Sequence, residues 1–566
     1  MSFVKKISLQ VPISTSAVFL NGFLSNEREL CHLAGLANSV LIEETLLYCY
    51  YKYGTDFIKK LKGNYSLAIL DSKNQKIILV RDKLGTVPLY YYINNEINNQ
   101  YITFSQDIPS IVRENGLCTS IDLLALTQYL TMHSINCEHT LFSGVKRLLP
   151  GHYLSFDLRL AKVQLTQFWD INFSPQPWRV GEVVEQFSTH FQRSVSGHQE
   201  GAAATLSSGR DSASIVLTMK HIFKQDIPTF SAIFDIKNYE KEHIAYIVRK
   251  HKLRHKFKEI TYYEYLSHMH MVVKILGGPP IDSCEVCSFI TGRCQSNFIN
   301  KILTGNFADE FWGGFGSYRF FYLLQILKQD PLKIFSFRHL MSKQLFRFLY
   351  LAYAKCKYQD KNLGLYIKFS PQRLKILRMP YDAQVTEKEI WGNFNQIINH
   401  PTLSPLDKVF YAFIKRAEVF GTHDFLLAQA NNIRAIFPYA DDDLIDLALK
   451  VPREILFHQG NIKYPQLQYL AQWMPISYLR LPKRGFPIPI FDWFKSDQFK
   501  YLEYFWQQPA TPLFRELFDI DYIKRLVFIL KQMRFDFLGS FELATKMHTL
   551  QMLKIFFQEF ESHLRL

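Results

Sequence analysis

Two short stretches carry the residue types that phosphate chemistry needs. The first is Ala202-Ala203-Ala204-Thr205-Leu206-Ser207-Ser208-Gly209-Arg210-Asp211-Ser212-Ala213-Ser214-Ile215-Val216-Leu217. An apolar run leads into a hydroxyl-rich turn, then apolar residues recur at helical spacing (Ile215, Val216, Met219, Ile222, Phe223), which predicts strand, tight loop, helix. A helix N-terminus offers unpaired N–H groups and the positive end of a dipole to a phosphate. Gly209 admits close backbone approach, Ser207 and Ser212 supply hydroxyl donors, and Asp211 can present oxygen to a Mg²⁺ beside the phosphates. Taken alone, the same residues also describe an ordinary serine-rich N-cap. The second stretch, Leu303-Thr304-Gly305-Asn306-Phe307-Ala308-Asp309-Glu310-Phe311-Trp312-Gly313-Gly314-Phe315, is a short strand, an acidic pair and a Gly-Gly turn. A third, Leu481-Pro482-Lys483-Arg484-Gly485-Phe486-Pro487, places a lysine in a proline- and glycine-bounded loop.

The elements that must position these stretches are alternating strands and helices. Thr205-Leu206, Thr229 to Phe234 and Lys301 to Thr304 read as parallel strands of an α/β core. From about residue 318 the pattern is helical, with Asp407 to Arg416 and Leu444 to Leu449 as clear cases. Up to about residue 170 the chain alternates strands and turns with two helices. There Val18 to Gly22 is a strand entering a turn, and Val40 to Tyr53 is a helix ended near Gly54. Gly63 to Asp71 and Lys76 to Asp82 form a hairpin, and Lys83 to Tyr92 and Tyr101 to Ser105 continue the β pattern.

Length and composition bound the classes. The chain has 566 residues, 48% of them hydrophobic and 15% aromatic, enough for two well-packed domains and too apolar for disorder. No run of 18 or more apolar residues and no signal-peptide core occur, so the expectation is a cytoplasmic protein without membrane insertion. The net charge of +15 raises nucleic acid as a partner, but the Lys and Arg residues are scattered and no nucleic-acid-binding signature accompanies them. The reading is therefore no nucleic acid, with a basic surface suited to ATP or an acidic peptide. Cys284-x-x-Cys287 with Cys294 lacks the second close pair of a structural zinc site, so these cysteines are expected to be buried free thiols.

The three stretches, in this order, resemble the asparagine synthetase superfamily. Its synthetase domains carry a Ser-Gly-Gly-x-Asp-Ser pyrophosphate loop, a Gly-x-Gly-x-Asp-Glu segment ending in Gly-Gly, and a Pro-Lys-x-Gly-Phe lysine loop. The resemblance extends to the N-terminal part through Gly63-Asn64-Tyr65 to Asp71, Arg81-Asp82 to Tyr90 and the Leu149-Pro150-Gly151-His152-Tyr153 turn. It implies an N-terminal Ntn-hydrolase-like β-sandwich of class II glutamine amidotransferase type over 1–172. Over 178–566 it implies an α/β adenine-nucleotide α-hydrolase-like (PP-loop) domain with a largely helical C-terminal half. The implied chemistry is attack of a carboxylate on the α-phosphate of ATP, then displacement of AMP by a nitrogen nucleophile. Pyrophosphate binding then falls to Leu206, Ser207, Ser208, Gly209, Asp211, Ser212 and Gly305, Mg²⁺ to Asp211 and Asp309, and the catalytic cation is Lys483.

The departures matter as much. A glutaminase of this type opens on a nucleophilic cysteine, whereas Ser2 and Phe3 stand here. The N-terminal domain is therefore expected to be a structural relic. Ser208 and Phe307 replace two loop glycines. Ile436-Phe437-Pro438-Tyr439-Ala440-Asp441 looks like the family's Arg-x-Pro-Phe-Leu-Asp segment, which in asparagine synthetases follows a glutamate acting near the amine. Here that place falls on Arg434 without a gap, or on Asn432 with one, and neither is a base at neutral pH. The leading expectation is an ATP-dependent amide ligase without glutaminase activity, of the lasso-peptide macrolactam cyclase kind. Its substrate would be a small molecule or precursor peptide, with a leader peptidase as a further partner. Asparagine synthesis from ammonia and a nucleotide-binding scaffold are the alternatives.

Overall fold

The structure is a computed structural model. It describes residues 4–566 apart from 330–375, 482–488, 533–538 and short interruptions at 9–11, 38–39, 95, 97–99, 136, 235, 237–238, 282–283, 296–297, 379–380, 382–383, 393–395 and 398.

Ten strands build the N-terminal region. They are β1 (Val4–Ser8), β2 (Ala17–Leu24), β3 (Gly63–Asp71), β4 (Lys76–Arg81), β5 (Tyr90–Asn94), β6 (Tyr101–Ser105), β7 (Thr119–Ser120), β8 (Lys146–Arg147), β9 (His152–Asp157) and β10 (Lys162–Gln167). One sheet has the order β1-β6-β5-β8, the other β10-β9-β4-β3-β2, and every pairing in both is antiparallel. Strand periodicity sets the layers. Leu67, Ile69, Ile78 and Val80 face helices α1 (Glu27–Ala34) and α2 (Ile42–Tyr53), while Ala68, Ile77 and Leu79 pack with Tyr91, Ile102 and Phe104 of the second sheet. The expected sandwich is present. Helices α3 (Ile108–Glu114) and α4 (Leu123–Met132) add to the two expected ones. Both are short, seven and ten residues, so they span too few turns for the helical period to stand out. Their N-caps, Asp107 and Asp122, accept from the Ser110 and Ala125 amides.

The second region is built on a parallel sheet: β11 (Ala202–Thr205), β12 (Thr229–Phe234), β13 (His255–Ile260), β14 (Lys301–Leu303) and β15 (Arg434–Ile436), in the order β13-β12-β11-β14-β15. In β11, Ala202 and Ala204 enter one core and Ala203 the other, so the strand is covered on both faces. The covering helices include α5 (Val180–Val195), α6 (Arg210–His221), α7 (Tyr239–His251), α8 (Tyr262–Leu276), α9 (Cys284–Arg293), α10 (Ala308–Trp312) and α11 (Gly316–Gln329). Later come α12 (Pro405–Ala430), α13 (Asp442–Lys450), α14 (Tyr464–Ala471) and α15 (Gly539–Phe560). The final strand β16 (Leu564–Arg565) pairs with β7 of the N-terminal region. Among the described residues no helix is long and apolar enough to cross a membrane. Of the three clustered cysteines only Cys287 is buried; Cys284 is partly exposed and Cys294 exposed, because they lie at the two ends of α9 or just beyond it.

The two regions are joined by buried charge. Arg81, with 0% exposure, gives Nη1 to the Glu418 carboxylate of α12 at 2.7 Å and Nη2 to the Thr422 hydroxyl at 2.7 Å. Its other donors go to the carbonyls of Val87, Leu148 and Gly85. Arg147 Nε adds a second contact to Glu418 at 3.1 Å. At the start of α13, Asp442 receives Lys83 at 2.5 Å and the Gly63 amide at 2.7 Å, and Asp443 receives Lys62 at 3.0 Å. A buried guanidinium is stable only when its donors are paired in this way.

Candidate active site

The order of the parallel sheet reverses at β11, which has β12 on one side and β14 on the other. In open α/β sheets the crevice beyond the C-terminal ends of such a strand pair is where ligands bind. The loop after β11 is Leu206 to Gly209 and the loop after β14 is Thr304 to Phe307, so the topology brings two of the predicted stretches together.

The first loop is closed by its own hydroxyls. The Ser207 amide donates to Ser212 Oγ at 2.9 Å, the two hydroxyls lie 3.0 Å apart, and the Gly209 amide donates to Ser207 Oγ at 3.1 Å. Gly209 caps α6, so the first-turn amides of that helix lie beside Ser212. The Ser208 hydroxyl donates to Glu240 of α7 at 3.0 Å, and the Leu206 carbonyl accepts from the Ser231 hydroxyl of β12. Ser208 thus ties the loop to the neighbouring helix.

The second loop fits against the first because Gly305 has no side chain. A methyl group there would lie 2.8 Å from the Asp211 Cβ and 3.2 Å from the Ser212 amide nitrogen. Asp211 in the first turn of α6 and Asp309 in the first turn of α10 then converge on one cation, the ammonium of Lys463. It contacts Asp211 Oδ1 and lies 2.6 Å from Asp309 Oδ1, with its side chain 2% exposed. Gln466 Nε2 adds a bond to Asp211 Oδ1 at 3.0 Å and lies 2.6 Å from the Tyr439 hydroxyl. Arg210 donates to the Ile462 carbonyl at 2.8 Å; burial lowers its pKa, and Asp211 and Asp309 oppose that shift. Gly314 is required beside this cluster, since a methyl group there would overlap Asp309 and Lys463.

The structure thus brings Leu206, Ser207, Ser208, Gly209, Asp211, Ser212, Gly305 and Asp309 to one edge of the sheet. Lys483 lies outside the described residues, as do Ser2 and Phe3. Sequence reasoning missed Lys463, Gln466 and Tyr439. Lys463 looked like any lysine before a helix, and only its left-handed backbone (φ 50°) ahead of α14 and its burial set it apart.

Phe307, the residue that replaces a loop glycine, keeps the left-handed backbone that glycine favours, with φ 70°. Its ring is buried, 5.6 Å from Phe437 and against Gly421 of α12. Arg434 starts strand β15 opposite Lys301 and is exposed, and Asn432 is an exposed left-handed turn residue. Asp441 caps α13, accepting from the Asp443 and Leu444 amides.

A serine-rich loop and a pair of converging carboxylates at the switch point of a parallel sheet, joined to an antiparallel sandwich, are the arrangement of a ligand-binding α/β domain, and the family comparison gives its class as an ATP-dependent carbon–nitrogen ligase. Residues 187–557 match the asparagine synthase family and residues 20–169 the glutamine amidotransferase domain. The chain belongs to the asparagine synthase family. It is 24% identical over 506 residues to "Asparagine synthetase [glutamine-hydrolyzing] 1" of Bacillus subtilis, covering 86% of this chain and 76% of the relative. A "Putative asparagine synthetase [glutamine-hydrolyzing]" of Mycobacterium bovis is 22% identical over 502 residues, covering 86% and 75%. A Methanocaldococcus jannaschii protein described as "Putative asparagine synthetase [glutamine-hydrolyzing] 2" is 24% identical over 324 residues, covering 56% and 62%.

Proposed function

We propose that this ligase adenylates a peptide carboxylate and closes it onto an amine without using glutamine, as a lasso-peptide-type macrolactam cyclase does. The observation that carries the ligase chemistry is the convergence of Asp211 and Asp309 on one buried cationic point. Two carboxylates held that way suit a Mg²⁺ ion, and these are the residues that would hold it. When bound, the ion would neutralise phosphate charge as pyrophosphate leaves. In this reading the hydroxyls of Ser207 and Ser212 and the first-turn amides of α6 would receive a pyrophosphate in exchange for the bonds that now close the loop, with Lys483 as the catalytic cation and Lys463 as a second cation already paired to Asp211 and Asp309.

The reading without glutaminase chemistry rests on Ser2 and Phe3 standing where the resemblance places a nucleophilic cysteine and the residue after it. Cys31, the first cysteine of the chain, is buried on α1 beside the Thr45 hydroxyl, and burial raises the pKa of the Cys49 thiol. A nucleophilic thiol is exposed, and these two are buried. Support for a peptide substrate comes from the chain's positive charge and aromatic content, and the place of the family's glutamate, which falls on Arg434 or Asn432, speaks against free asparagine. Asparagine formation from ammonia is the second reading; the relatives' descriptions as asparagine synthetases favour its product, while naming glutamine hydrolysis rather than ammonia.

ATP–pyrophosphate exchange separates them. Exchange with linear peptides carrying a free N-terminal amine and an internal Asp or Glu, and none with aspartate, is the expected result. Exchange with aspartate alone returns the chain to asparagine synthesis.

A further inference from the structure

Amide formation from an activated acyl group releases a proton from the attacking nitrogen, and a base must receive it. We infer that the Asp424 carboxylate, anchored to the acidic loop by Asn306, is that base. The inference rests on the ligase reading above.

Asp424 projects from α12, and Asn306 Nδ2 donates to its Oδ2 at 2.7 Å. Asn306 follows Gly305, the residue packed directly on Asp211, so this carboxylate is anchored one residue from the contact that joins the two loops. Neighbouring acids are already committed. Asp211 and Asp309 share Lys463, Glu240 takes the Ser208 hydroxyl, and Glu285 takes His423. The second oxygen of Asp424, Oδ1, has no hydrogen-bond partner among the described residues, and the side chain is only partly buried. Placed there, Oδ1 can accept a proton.

Desolvation, helped by the Glu285 charge, raises the carboxyl to about 6 against the pull of Asn306 and His423, which suits a base working near neutrality. His423, one residue back on the helix, lines a cavity of about 60 Å³ between the two regions together with Tyr129, His133 and Arg147. That cavity has room for water beside the residue next to Asp424.

The step balances. The lone pair of a neutral amine forms the C–N bond to the acyl carbon. The bond from that carbon to the AMP phosphate oxygen breaks, its electron pair leaving with AMP, and the N–H proton passes to Asp424 Oδ1.

The test is Asp424→Asn, which keeps the shape and the bond to Asn306. Three quantities are read on one preparation: ATP–pyrophosphate exchange with the peptide that supports it, capture of the acyl group by hydroxylamine, and dehydrated cyclic product by mass spectrometry. Expected are exchange and hydroxamate within about twofold of wild type, with cyclic product down about 100-fold or more. Hydroxylamine is neutral at working pH and can lose its proton to water, so it bypasses the base. Product that falls no further than exchange, including loss of all three signals, overturns the inference. A wild-type chain without exchange on any peptide overturns the parent reading instead, and this one with it.

Discussion

Arg81 of the N-terminal region and Glu418 of helix α12 meet at 2.7 Å with 0% and 6% of their side chains exposed. Glu418 also receives Arg147. Glu418→Ala would leave two buried guanidinium groups without their shared anion, which costs about 3–5 kcal/mol. Urea denaturation followed by tryptophan fluorescence should show an early transition. A midpoint unchanged from wild type would mean that the contact carries no stability.

Lys463 holds together two carboxylates that would otherwise repel. In Lys463→Met, Mg²⁺ without nucleotide should raise the melting temperature more than it does in wild type, because the ion takes over the charge that was lost. Pyrophosphate exchange should fall by about 100-fold or more through loss of a cation beside the phosphates. Equal Mg²⁺ shifts in both proteins would remove Asp211 and Asp309 as the ion's ligands.

The collision distance at Gly421 predicts a pairwise effect. A methyl group there would lie 2.7 Å from the Phe307 ring, so Gly421→Ala should destabilise by about 1–3 kcal/mol. Phe307→Ala opens the space at its own cavity cost, and adding Gly421→Ala to it should cost almost nothing further. A double-mutant cycle on thermal unfolding measures the difference. Additive effects would show that the two do not touch.

Asp82 is fully buried at the end of the β4 turn, where burial lifts its carboxyl to about 6 against four hydrogen bonds and Arg81. Its unfolded value is about 4. A raised acid binds its proton more tightly in the folded state, so its contribution is present below about pH 4 and is lost as pH rises through about 6. The stability of wild type relative to Asp82→Asn should therefore fall by about 3 kcal/mol over that interval. A pH-independent difference would mean that this carboxyl is not perturbed.

The legible parts of the fold were those whose signal is local. The strand, turn and helix around Gly209, the hairpin of β3 and β4, and the stop of α2 at Gly54 follow from neighbours in sequence. Strand β13 (His-Lys-Phe-Lys-Glu-Ile) escaped because as a sheet edge it carries charge. Helix α12 runs well past Arg416, through Gly421, which sequence propensity treats as a weak point and which the Phe307 ring requires. In the site, the loop residues and both acids announce themselves by spacing. Lys463 and Asp424 do not, because their partners Asp211 and Asn306 are remote in sequence and only the sheet topology brings them near.

Glu418 and Asp442 lie in the synthetase region but are satisfied by Arg81, Arg147, Lys83 and Gly63 of the amidotransferase-like one. Removing the amidotransferase-like region would strand both acids in the same event. A synthetase region standing alone would need both acids replaced first, so the two regions are bound to each other by charge as well as by chain.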